Sequence, residues 1–337
     1  MIRIGIFGAS GYTGHELVRL LSHHPEAEVR FATSETYAGG TLADLYPAAP
    51  ALPLIPAEEA PLEEIDVAFC CLPHTASMPL VQKLRSKDVP VIDLSADFRL
   101  DDAATYERWY GTEHTAPELL PQATYGLPEL NRAAVRGAKL VANPGCYPTG
   151  VILALAPILR EGLLAEPQVI VDAKSGVSGA GRKLSLTTHF VEVNENFSPY
   201  AIGYAHRHIS EMEQEAEKLA GEPVHFIFAP HLLPVSRGIL STIYIHTTRA
   251  LGAKEWVSLY REAYAGEPFI RVLEVGQLAT LRHVVYTNRC AISLTPIEGT
   301  NTLIIVSCID NLIKGASGQA VQNMNLMLGL DEQLGLE

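Results

Sequence analysis

Short apolar runs alternate with amphipathic stretches over the first third of the chain. IRIGIF is followed by GHELVRLLSHHP and AEVRFATS, and further on by IDVAFCCLP, ASMPLVQKLRS and VPVIDLS. This alternation predicts a parallel sheet joined by crossover helices. The pattern changes after residue 146. GILSTIYIHTT, RCAISLTPIE and NTLIIVSCIDN are longer and strand-like, and in CAISLT the apolar Ile292 and Leu294 alternate with Ala291, Ser293 and Thr295. A mixed or antiparallel sheet with one face covered by helices is the expectation. HISEMEQEAEKLAG and AKEWVSLYREAYAGEP carry helical spacing and reach glycine at 221 and 266, and a last helix is expected over 316–328, after the strand ending in Ile309. There is no internal repeat and no low-complexity tract.

Composition narrows the class. With 337 residues, 47% hydrophobic and 19% charged, the chain suits a soluble globular protein of two domains. A net charge of −13 argues against nucleic acid or an anionic membrane as partner and leaves anionic small molecules to local arginines. MIRIGIFGASG reaches glycine before a long apolar segment forms and no later run approaches a membrane span, so neither signal peptide nor membrane contact is expected and the location is cytoplasmic. Five cysteines without framework spacing or a CxxC pair fit free thiols in a reducing compartment and give no metal site.

Gly8, Gly11 and Gly14 lie between the first strand and the first helix, where glycine lets the backbone approach a pyrophosphate and the helix N-terminus supplies N–H groups. The spacing is GxxGxxG. About twenty residues on, ATSETYAGG places Ser34, which favours NADP, beside Glu35, which opposes it; the residues alone leave that choice open. Cys70, Cys71, Cys290 and Cys308 sit in apolar strand-like runs, as small buried hydrophobes do. Cys146, in NPGCYPTG, differs. Its Pro/Gly loop precedes an apolar helical run, so the thiol stands at or near a helix N-terminus, where the dipole favours the thiolate. A thiolate beside a nicotinamide attacks an activated acyl group and holds a thioester for hydride delivery. GYAHRHISEMEQE offers the proton carriers His206 and His208, flanking Arg207 at an expected helix entrance; if the segment is extended, the two histidines share one face and Arg207 points to the other. Arg99, Arg182 and Arg237, in loop-like DLSADFR, SGVSGAGR and PHLLPVSRGI, are candidates to meet an anionic substrate.

The set GASGYTG, LPH, DLSADFR, YGLPELNR, NPGCYPT, SGVSGAGR, NEN, HRHISEMEQ, PHLLPVSRGI and DNLIKGASGQAVQNMN resembles the N-acetyl-gamma-glutamyl-phosphate reductases, in order and over nearly the whole chain. The resemblance implies a Rossmann domain over 1–145 with 312–337 packing back on it, and a glyceraldehyde-3-phosphate-dehydrogenase-like α+β catalytic and oligomerisation domain with a mixed sheet over 146–311. It implies NADP(H)-dependent reduction of N-acetyl-gamma-glutamyl phosphate to the 5-semialdehyde and phosphate, the third step of arginine biosynthesis, in a homodimer or homotetramer. Cys146 would be the nucleophile and His208 the acid/base, with His206 the second choice. Gly8, Ser10, Gly11, Tyr12, Thr13 and Gly14 would hold the pyrophosphate, Ser34 the adenosine phosphate end, Ser178, Gly179 and Gly181 the nicotinamide side or the substrate phosphate, and Asn311 would lie near the cofactor; Asn143 and Arg207 join the three arginines as substrate contacts. GASGYTG alone is shared with aspartate-semialdehyde dehydrogenases, the competing enzyme reading. A relative acting on aminoadipyl phosphate would depart from NPGCYPT. From another class, a non-catalytic NADP sensor has no use for the cysteine loop or the histidine doublet.

Overall fold

The protein, described as a computed structural model over residues 1–336, divides into two compact units: Met1–Pro144 together with the chain from Ala316, and Gly145–Gly315. Residue 337, counted above in the returning segment, lies outside the described residues.

The first unit carries β1 (Ile2–Phe7), α1 (Tyr12–Leu21), β2 (Ala27–Thr33), the short α2 (Leu42–Leu45), β3 (Leu54–Ile55), β4 (Val67–Cys70), α3 (Met78–Ser86), β5 (Val91–Asp93), α4 (Ala103–Tyr110), β6 (Ala123–Tyr125), α5 (Pro128–Val135) and β7 (Leu140–Ala142). Its seven strands are parallel in the order β3-β2-β1-β4-β5-β7-β6. The central runs are apolar because both faces are covered: Ile4, Ile6, Phe7, Val67, Ala68 and Phe69 are all 0% exposed. The strand order reverses between β1 and β4, and the crevice at the carboxyl ends there is where open α/β sheets bind ligands.

The second unit contains α6 (Cys146–Arg160), β8 (Gln168–Gly176), the short α7 (Phe190–Val193), β9 (Ser198–Pro199), α8 (His208–Ala220), β10 (His225–Leu233), β11 (Ile239–His246), α9 (Ala253–Ala263), β12 (Ile270–Val272), β13 (Cys290–Pro296) and β14 (Thr302–Ile309). Its seven-stranded sheet, ordered β12-β13-β14-β11-β8-β10-β9, is mixed: β8 runs parallel to β10, while β11 pairs antiparallel with both β8 and β14. Val171, Phe228, Ile243 and Ile305 share a buried face, whereas Ile170, Ile227 and Tyr244 on the opposite face are 41%, 48% and 37% exposed. The very apolar α6 is buried from Tyr147 to Leu159. Pro157 inside it donates no N–H to Leu153, and the Tyr264 hydroxyl donates to that carbonyl instead.

Two boundaries differ from the sequence pattern. Helix α9 ends at Ala263, ahead of Gly266, because Tyr264 turns its hydroxyl into α6. The last helix begins later than residue 316: a π-turn spans Ile313–Ser317 and α10 runs Gly318–Met327. The second unit runs to Gly315, and within it Asn311 is tied to Gly238 and Ser178. In the first unit, α10 is buried on every side and its amide donors are engaged: Gln319 and Asn323 donate to the Gly126 carbonyl, and Ser317 Oγ donates to the Thr13 carbonyl.

Candidate active site

In the first unit, the segment GASGYTG joins β1 to α1 at the reversal of strand order. Gly8 has φ +85°, and a Cβ on it would lie 2.5 Å from the Cys71 carbonyl oxygen. A Cβ on Gly14 would lie 2.5 Å from the Gly8 oxygen and 2.6 Å from the Ala9 Cα, both backbone atoms that cannot swing aside. The turn is therefore as tight as a pyrophosphate cradle requires, with Gly11 as the N-cap and Tyr12, Thr13 and Gly14 in the first turn. Ser34 Oγ donates to Ser10 Oγ at 2.9 Å, so these two hydroxyls stand together at the ends of β1 and β2. The Glu35 carboxylate accepts from the Ala57 N–H at 3.1 Å. Gly14→Ala is expected to weaken nicotinamide-dinucleotide binding by roughly tenfold or more, since overpacking at rigid backbone costs about 1–3 kcal/mol. Fluorescence titration with the reduced dinucleotide checks it; an unchanged dissociation constant would remove the cradle from the binding site.

In the second unit, Cys146 is the first residue of α6, behind the N-cap Gly145, where unsatisfied N–H groups and the helix dipole favour a thiolate. The Gly145 N–H donates at 2.7 Å to Oε1 of Glu211, a residue of α8 only 2% exposed, which anchors the peptide ahead of the cysteine. The other thiols differ in kind. Cys70, Cys290 and Cys308 are buried, and burial pushes the Cys70, Cys71 and Cys308 thiols up.

His206 and His208 converge beside Tyr147, with ring centroids 4.8 Å apart and 5.5 and 5.9 Å from the tyrosine ring. They are not on an extended segment: Arg207 is in αR conformation and His208 opens α8, so the pairing comes from the helix entrance. His206 Nδ1 accepts the His208 N–H at 3.1 Å, leaving its proton on Nε2. Burial, aided by the Arg207 charge, lowers His206 to about 4, so its ring is neutral near neutral pH. The Tyr147 and Tyr200 hydroxyls are 2.9 Å apart, and burial raises both. Tyr147, Tyr200 and Glu211 carried no sequence signal beyond ordinary loop and helix residues; only Glu211, one turn past His208, was within reach of a spacing argument.

A further group gathers around Asn311, which is 2% exposed. Its Oδ1 accepts from the Gly238 N–H at 2.7 Å and its Nδ2 donates to Ser178 Oγ at 2.9 Å, bringing SGVSGAGR and SRGI to one place. A Cβ on Gly176 would lie 2.8 Å from the Arg237 nitrogen. Arg182 is half-buried and Arg207 exposed.

Arg99 and Asn143, expected as substrate contacts, are linked to each other and to neighbouring loops. Both are buried within the first unit, at 6% and 1% exposure. Arg99 Nε donates to the Asn143 carbonyl and its Nη2 to the Leu94 carbonyl, while Asn143 donates to the Ala316 carbonyl and accepts from Asn323. The guanidinium is enclosed with buried carboxylates, where desolvation and the Asp97 charge raise Asp93 to about 7 and Arg99 partly offsets them. These two residues tie loops together. Among the described residues, no group of three or more His, Cys, Asp or Glu side chains is arranged to hold a metal ion, and no helix is long and apolar enough to cross a membrane.

Residues 3–138 match the family described as semialdehyde dehydrogenase, NAD binding domain, and 146–311 that described as semialdehyde dehydrogenase, dimerisation domain. The chain is 51% identical over 339 residues to a protein of Pelotomaculum thermopropionicum named N-acetyl-gamma-glutamyl-phosphate reductase, covering 99% of this chain and 97% of that one. A protein of the same name in Desulforudis audaxviator is 50% identical, covering 100% and 98%. Among solved structures, aspartate semialdehyde dehydrogenase II from Vibrio cholerae superposes with a TM-score of 0.76 at 19% identity, over 98% of this chain and 99% of that one, which is a likeness of fold.

Proposed function

Because this chain belongs to the N-acetyl-gamma-glutamyl-phosphate reductase family, we propose that its cysteine, histidines and glycine turn carry out that family's reductive dephosphorylation of an acyl phosphate. The chain is an oxidoreductase that reduces N-acetyl-gamma-glutamyl phosphate to the semialdehyde and phosphate, within arginine biosynthesis, and its redox partner is a nicotinamide dinucleotide. The observation that carries the residue assignment is Cys146 at the head of α6 with two imidazoles gathered on the neighbouring Tyr147.

The Cys146 thiolate attacks the acyl carbon, the bond from that carbon to the phosphate oxygen breaks, and phosphate leaves. The reduced nicotinamide supplies a hydride to the carbonyl carbon when bound. Backbone N–H groups in the first turn of α6 hold the developing oxyanion, and His208 holds and transfers the proton at that oxygen as the thiolate is released. His206, neutral and accepting from the helix start, orients His208. In this proposal Gly8, Ser10, Gly11, Tyr12, Thr13 and Gly14 are assigned to the pyrophosphate, Ser34 to the adenosine phosphate end, and Ser178, Gly179 and Asn311 to the nicotinamide end. Arg182, Arg207 and Arg237 serve the substrate anions.

NADP is the preferred dinucleotide. Engagement of Glu35 by the Ala57 N–H and the paired Ser10 and Ser34 hydroxyls support that reading. A second copy of the chain covers the sheet face carrying Ile170, Ile227 and Tyr244, in keeping with the dimerisation-domain family matched there.

The test runs the reaction backwards, following formation of the reduced nicotinamide from N-acetylglutamate semialdehyde and phosphate. Phosphate-dependent turnover faster with NADP than with NAD is expected. Faster turnover with NAD would overturn the NADP preference, and activity confined to aspartate semialdehyde would overturn the substrate.

A further inference from the structure

Tyr286 stands out among the residues outside the catalytic machinery. Its φ is +66°, a left-handed conformation that is an outlier for a bulky side chain, and the residue is 68% exposed, so burial does not compensate the strain. Two contacts hold it there. Its N–H donates at 2.8 Å to Oδ2 of Asp310, which is 0% exposed, and its ring lies under the Arg237 guanidinium, with 4.8 Å from Cζ to the ring centroid.

Asp310 binds the same arginine from another side, with 3.6 Å from its Oδ2 to Arg237 Nη1. Its Oδ1 accepts the N–H groups of Leu312 and Ile313 at 2.8 and 3.2 Å, so the carboxylate is rigidly placed where β14 passes into the π-turn. The backbone of Arg237 is confined as well, by Gly176 packed against it and by Asn311 gripping the next N–H. The strained tyrosine thus completes a clamp: a carboxylate on one edge of the fork, an aromatic ring on its face and a fixed main chain behind.

We propose that Tyr286, with Asp310, is a positioning residue that sets the plane of the Arg237 guanidinium for one anionic group of the substrate. The inference rests on the reading above that Arg237 meets such an anion. A fork ordered before binding loses little side-chain entropy when an oxyanion docks on it, and this gain in affinity is what the strain at Tyr286 sustains.

The reverse reaction separates the two anions, because phosphate and the carboxylate-bearing semialdehyde are then varied independently. Tyr286→Leu is expected to raise KM for one of them by roughly fivefold or more with kcat within about twofold, in line with the affinity such aromatic–cation contacts supply. Tyr286→Phe, which keeps the ring, should restore it. Tyr286→Gly relieves the strained φ, so its Tm should not fall although the same KM rises. A Tm loss in Tyr286→Gly with both KM values unchanged would make the tyrosine merely structural and overturn the proposal, as would unchanged KM values in Tyr286→Leu. If Arg237→Ala also leaves both KM values unmoved, the failure lies in the anion-binding role of Arg237 itself.

Discussion

Replacing Cys146 with serine is expected to lower phosphate-dependent turnover by roughly 10³-fold or more, in the range seen when covalent nucleophiles are removed, with dinucleotide binding retained. The hydroxyl is isosteric enough to sit at the first position of α6, and the Gly145–Glu211 anchor is untouched, so the fold should survive. What is lost is ionisation: a helix N-terminus favours a thiolate near neutral pH but leaves a serine hydroxyl protonated. Selective alkylation provides an independent check. One equivalent of iodoacetamide should label Cys146 ahead of the four other cysteines, since three of these are buried and the half-buried Cys71 has its thiol pushed up by burial. Substantial activity in the serine variant would sink the thioester.

His208→Asn should slow the chemical step by about 10²–10⁴-fold, the usual worth of a positioned acid/base, and more than His206→Asn does. The ranking follows from what each ring is already doing. His206 spends its Nδ1 on the first N–H of α8 and stays uncharged at working pH because burial lowers it to about 4. An imidazole held so low is a poor proton donor at pH 7. The same shift has a consequence for stability. Between about pH 6.5 and 4 the unfolded chain binds a proton at residue 206 that the folded chain refuses, so this group's contribution is intact above that window and is lost as pH falls through it. His206→Asn should flatten the acid-side fall in Tm over that interval while keeping most of the turnover. The reverse kinetic ranking, measured by single-turnover hydride transfer, would move the proton carrier to 206.

Much of this architecture was written locally. The strand–glycine–helix succession at residues 2–21 is legible because each of its requirements, an apolar run, a turn without Cβ atoms and an amphipathic helix, concerns neighbours in sequence. Cys146 was legible as a helix-entrance thiol for the same reason: Pro144, Gly145 and Pro148 shape the backbone within two residues of it. The alternation in the first third and the strand-like runs of the second likewise carried the parallel and mixed sheets. The HRH doublet was legible as a helix entrance, since good helix formers follow it directly, and α8 opens at His208; only the shared-face argument, which presumes an extended segment, does not apply.

Charge was where local reading failed. Arg99, Arg182 and Arg237 look alike in sequence, each a cation in a turn-rich segment, yet Arg99 is buried and donates to the Asn143 and Leu94 carbonyls while Arg237 is held by Asp310 and Tyr286. A guanidinium has no periodic signature; its role is decided by which acceptors long-range folding brings within 3–4 Å. The partners of Glu211 and Asp310 were not legible for the same reason, since each holds a segment more than twenty residues distant. By itself, then, the sequence determined the two-domain α/β architecture, the glycine turn and the position of Cys146 at a helix start, all set by interactions over a few residues. Only the tertiary structure decided which polar side chains became ties and to what, because that choice depends on contacts between segments far apart along the chain.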